Sequence, residues 1–98
     1  MNEKSVLLLS HLPARLIPEK VGEMLGFSAY EISVLMRTGL LKPLGRPAPN
    51  AHKYFCAAEV VELSYNREWL DRATRVISKH WQDKNQREKE QKLAAASI

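Results

Sequence analysis

Every glycine and every proline of this chain falls between residues 13 and 49: Pro13, Pro18, Gly22, Gly26, Gly39, Pro43, Gly45, Pro47 and Pro49. These residues turn or stop a backbone, so the connections of the fold belong in that stretch. From Ala57 to Ile98 there is no glycine or proline, which predicts one long helix, or two joined end to end near Ser64 to Asn66. A chain of 98 residues closes a single core. We therefore expect one domain over residues 1–82 and a polar tail, 83–98, that frays into solvent.

Two short helices fit between the breakers. The first opens at Pro18, whose fixed φ and missing N–H suit a first helical position, and stops at Gly26. Ile17 at its N-cap has no oxygen to offer, so this start is poorly capped. Val21, Met24 and Leu25 form its apolar stripe, and Gly22 is expected to let a crossing helix come close. The second helix has better-defined ends. Ser28 and Glu31 are spaced as a capping box, and Phe27 and Ile32 as a hydrophobic staple. Gly39 suits the left-handed position after a helix, with Leu40 folding back toward Leu35. That helix runs from about 29 to 38. Before both lies a lead-in whose apolar residues, Val6 to Leu9 and Leu16 to Ile17, are expected to pack as a short helix or strand.

The stretch "LLKPLGRPAPNAHKYF" then places two runs able to form strands around a proline-rich loop, which predicts a short edge hairpin. After it, "FCAAEV" at 55–60 repeats the start signal "FSAYEI" at 27–32, with Cys56 in the serine's place as a weak cap and Phe55 and Val60 as the staple. Farther on, Leu63, Leu70 and Ile77 lie seven apart. Ala73, Tyr65, Trp69, Val76 and Trp81 widen the stripe, although Asn66 and His80 fall on the same seam. Such a face must be covered, either by a second chain or by folding back over the domain.

Charge adds direction to this outline. Basic residues number 15 against 11 acidic ones, a modest surplus, but segment 32–58 holds Arg37, Lys42, Arg46 and Lys53 with no acid. An acid-free stretch of this kind favours an anionic partner. Arg67, Arg72, Arg75 and Lys79, in contrast, alternate with acids as on a solvated helix. The single cysteine cannot form an internal disulfide, which points to the cytosol. "VLLL" at 6–9 is too short for a signal-peptide core or a membrane span, so neither a targeting segment nor a membrane partner is expected.

Catalytic chemistry lacks a constellation: no nucleophile with its base, no paired carboxylates and no glycine-rich phosphate loop, so the chain does not read as an enzyme. His52 and Cys56 are four apart, a spacing that holds a metal only on a helix, whereas "HKYFC" reads as a strand entering a cap. No metal or cofactor is expected. Glu31 could accept from a cytosine amino group, but its capping-box role explains it better.

A proline-opened helix, a tight turn, a second helix, a two-stranded wing and a helix opening on an acid–valine pair form a familiar order. The chain resembles winged helix-turn-helix DNA-binding domains of the excisionase and MerR-like type over residues 16–63. Pro18, Leu25, Gly26, Phe27, Ser28, Ile32, Leu35, Met36 and Gly39 carry the likeness. It implies a mainly α fold with two short helices, a two-stranded β wing and a long C-terminal helix. It also implies a small transcription regulator or excisionase-like accessory factor that binds double-stranded DNA, helix 29–38 in the major groove and wing 42–55 on the backbone. Groove-facing positions would be Tyr30, Ser33, Val34 and Arg37, and wing contacts Lys42, Arg46, His52 and Lys53. Val34 is the odd member, because an exposed valine can meet a thymine methyl or a protein surface. MerR-like relatives dimerise through their long helix, so a homodimer or partner protein would dock on Leu63, Trp69, Leu70, Ile77 and Trp81. The competing use of the same fold is a protein-interaction module in which Tyr30, Val34 and the proline-rich wing meet a partner and DNA is irrelevant.

Overall fold

Proline at the first helical position and a left-handed glycine after the last bracket the first labelled helix of the computed structural model, which describes residues 9–96. Its elements run β1 (Arg15–Leu16), α1 (Pro18–Leu25), α2 (Ala29–Arg37), β2 (Phe55–Cys56), α3 (Ala57–Ser64) and α4 (Arg67–Ala96). The fold is mainly helical with one small antiparallel sheet. Val6 to Leu8 of the lead-in lie outside the described residues. Leu9 packs against the core, Leu16 is buried and Ile17 is exposed.

The turn between α1 and α2 is built on backbone. Gly26 and Phe27 both donate to the Gly22 carbonyl, at 2.7 and 2.8 Å. Gly22 is buried because the Phe27 carbonyl sits where a side chain would go, with Ile32 just beyond. The close neighbour expected at Gly22 is therefore this turn and not a crossing helix. Ile17 caps α1 without a side-chain bond, as its sequence predicts. At α2 both halves of the capping box form: Glu31 N–H donates to Ser28 Oγ at 3.1 Å and Ser28 N–H to Glu31 Oε1 at 2.9 Å. The helix ends in a full Schellman motif, with Leu40 N–H on the Leu35 carbonyl at 2.9 Å and Gly39 N–H on that of Met36 at 3.1 Å.

The wing departs from expectation. Instead of a hairpin, residues 42–54 form a proline-braced loop whose arms share one backbone bond, Leu44 N–H to the Tyr54 carbonyl at 2.8 Å. Pro43, Pro47 and Pro49 remove three ladder donors. Gly45 and Arg46, at φ 78° and 49°, curl the chain where a strand would have to be extended. The only sheet among the described residues pairs β2 with β1, Arg15 opposite Cys56 and Leu16 opposite Phe55. Burial of Leu16 and Phe55 holds that pairing, and Ala57 N–H extends it to the Ala14 carbonyl at 2.9 Å. Cys56 stands at the N-cap of α3 but makes no side-chain cap bond.

The chain breaks between α3 and α4 at Tyr65 and Asn66 without glycine or proline. Asn66 Oδ1 accepts from Trp69 N–H at 3.0 Å, which makes Asn66 the N-cap of α4 instead of a polar fault in an intermolecular seam. From there α4 runs 30 residues, and the part expected to fray is helical through Ala96. Side chains from 82 to 93 are exposed. Glu, Lys, Gln and Arg without a breaker let a helix nucleated on the core propagate outward. This projection gives the molecule its 60 Å long axis. No described helix is long and apolar enough to cross a membrane.

Candidate nucleic-acid interface

The first half of α4 lies antiparallel along α2, held at two places by indole N–H groups. Trp69 Nε1 donates to the Leu40 carbonyl at 3.0 Å, just past the end of α2, and Trp81 Nε1 to Glu31 Oε2 at 2.9 Å, in its first turn. Twelve residues of α4 span about 18 Å between these anchors. Ala73 and Ile77, spaced at helical intervals between them, are buried in the same core as Val34. Trp69 is buried too, and Leu63, Leu70 and Trp81 pack against that core. Within the chain, this stripe folds back over the domain through Trp69, Ala73 and Ile77.

Docking of α4 corrects one residue of the expected reading face. Val34 is 4% exposed, so it cannot enter a groove or meet a partner. On a helix it lies one turn beyond Glu31 on the same side, the side that α4 covers. The sequence of α2 contains the core stripe of Ile32 and Leu35, but a wall supplied from forty residues away widens the buried arc to include Val34.

What remains outward on α2 is Tyr30, Ser33 and Arg37, spaced i, i+3 and i+7, with Met36 beside them. Arg37 is fully on the surface side and has no hydrogen-bond or ion-pair partner among the described residues. Ser33 is half-buried and its hydroxyl donates to the Tyr30 carbonyl, which leaves its lone pairs to accept. Tyr30 is 44% exposed but not free: its hydroxyl shares a hydrogen bond with His80 Nε2 at 2.9 Å. Its ring packs against Trp81 at 5.7 Å between centroids, and Lys84 Nζ lies 5.4 Å from it and 5.2 Å from the Trp81 ring. His80, which in sequence stands alone, is thus part of the contact between α2 and α4.

Glu31 holds that contact from the other side. Its carboxyl is lowered below the ordinary carboxylate range, chiefly because Ser28 N–H donates to the charged form, then because Trp81 does so, while partial burial opposes. One side chain therefore caps α2 and binds α4.

Across from α4, the outward edge of α2 faces the proline loop. Ser33, Met36, Arg37, Pro43, Pro47, Pro49 and Lys53 line an open groove of about 560 Å³ between them. Lys42, Arg46 and His52 are exposed on or beside the loop. Lys53 behaves differently from the expectation of a phosphate contact. Its ammonium donates to the carbonyls of Pro49 and Ala51, each at 2.9 Å, and more weakly to that of Ala48 at 3.4 Å. It staples the loop from inside, a role the sequence does not show because all three acceptors are backbone. Met36, His80 and Lys84 are the residues that sequence reasoning left out of the site, and Trp81 was read there only as part of the apolar stripe. The twelve-residue spacing of the two tryptophans was the available signal.

No known protein family, curated protein or solved structure matches this chain.

Proposed function

We propose that the protein binds duplex DNA through the outward edge of α2 and the proline loop, as a small transcription regulator or accessory factor of recombination. The observation that carries this reading is the groove between α2 and the loop, whose lining holds Arg37 and Lys53 and no carboxylate. Residues 32–58 contain four basic side chains and no carboxylate, and α4 packs on the opposite edge of α2, leaving that surface open. Tyr30, Ser33, Met36 and Arg37 face the major groove in this arrangement, while Lys42, Arg46 and His52 meet the backbone and set register. Lys53 holds the loop in shape for them. Val34 has no part in the contact.

The test is an anisotropy titration of mixed-sequence duplex over a series of salt concentrations. Affinity should fall steeply with salt, and Lys42→Ala and Arg46→Ala should each reduce the log–log slope by about 0.9. Lys53→Met should weaken binding with a smaller change in slope, because its charge already serves the loop. Absence of duplex binding at about 50 mM salt would overturn the reading.

A further inference from the structure

The groove between α2 and the loop has a largely apolar lining. Met36 contributes a thioether and Pro43, Pro47 and Pro49 three pyrrolidine rings, and Ser33, Arg37 and Lys53 complete it. Proline rings have fixed φ and lose no side-chain freedom when covered, so this wall is set before anything binds. The groove lining carries Arg37 and Lys53 and no carboxylate, which complements a polyanion.

On the major-groove side of a duplex, the one apolar group a base presents is the 5-methyl of thymine. Apart from ring C–H groups, the other features there are hydrogen-bond donors and acceptors, which a methionine and proline wall would leave unpaired at a cost. We propose that this groove is the base-selective part of the surface and takes the thymine 5-methyl, with Met36 as the contacting residue. The proposal rests on the duplex reading given above. Apolar contact with thymine, which the sequence suggested for Val34, passes to the half-buried Met36, which packs against the core and also lines the groove, because docking of α4 sets which edge of α2 faces outward. Arg37, the next residue on the helix, is then placed to donate to a neighbouring base, and Ser33, one turn earlier, to accept from one.

The experiment selects duplexes from a randomised pool with the full chain, then resynthesises the enriched duplex with uracil in place of each thymine in turn. Uracil lacks only the methyl group. At one thymine or more, the replacement should weaken binding about fourfold, the equivalent of one buried carbon. In Met36→Ala that difference should shrink toward none, and in Met36→Leu it should persist. In Arg46→Ala both duplexes should weaken equally. Enriched duplexes that bind uracil and thymine alike at every position would overturn the methyl pocket and leave DNA binding standing. A pool with no enrichment, together with binding of an acidic amphipathic peptide that Met36→Ala abolishes, would overturn both.

Discussion

The two edges of α2 were made by different means. One edge is tied to α4 by two indole hydrogen bonds, an aromatic contact and a buried valine; the other faces a loop braced by prolines and one lysine, with its cations in solvent. Packing on the first edge orients the second. A helix of nine residues has little stability of its own, so its rotation about its axis depends on what covers it, and here the cover comes from the far end of the chain.

The sharpest way to break this contrast is a charge on each edge. Val34→Asp should lower stability by about 3 kcal/mol or more in urea denaturation, since it buries a carboxylate with no partner. Arg37→Asp should stay within about 0.5 kcal/mol of the parent. Equal effects from the two would mean that α4 does not cover the Val34 edge.

Gly22→Ala comes next, at about 1–3 kcal/mol, because the added carbon meets the Phe27 carbonyl and the turn must shift. A stabilised variant, as helix propensity alone would give, would show that the turn is looser than described.

Trp81→Phe keeps an aromatic ring but removes the indole donor to Glu31, for a loss of about 1 kcal/mol. Hydrogen exchange should speed up around residues 77–84 more than near Trp69. Uniform acceleration along α4 would argue against two separate anchors.

The smallest effect is one of pH. A carboxyl lowered in the folded chain contributes stability that is complete above about 4.5, the ordinary value, and is lost as pH falls through the lower folded value. Stability of the parent should therefore exceed that of Glu31→Gln at neutral pH and converge on it in acid. A difference that stays constant down to acid pH would show that the Glu31 charge strengthens neither the α2 cap at Ser28 nor the bond from Trp81.

Legibility in the sequence followed the range of each interaction. Capping of α2 by Ser28 and Glu31, its Schellman end at Gly39 and Leu40, and the proline start of α1 all depend on residues within five positions of one another, and each is read directly. The interruption between α3 and α4 was visible only as a weak region, because Asn66 is as good a helix cap as it is a poor seam residue. Pairing of β2 with β1 joins residues forty positions apart, and the local pattern of the loop pointed to a hairpin instead. Within the site, Tyr30, Arg37, Lys42, Arg46 and His52 are exposed and Ser33 is half-buried. Val34 and Lys53 depart from their expected roles, one taken by a distant helix and the other by carbonyls that carry no side-chain signature.

What the sequence determined by itself is therefore where helices start and stop, where the chain turns, and which stretch is free of acids. Those properties arise from backbone dihedrals, caps and charge counted over neighbouring residues. Only the tertiary structure decided which edge of α2 faces outward. That choice depends on Trp69 and Trp81 reaching across from a helix that begins thirty residues after α2 ends, and an indole's partner is set by its position in space and not by its position in the chain.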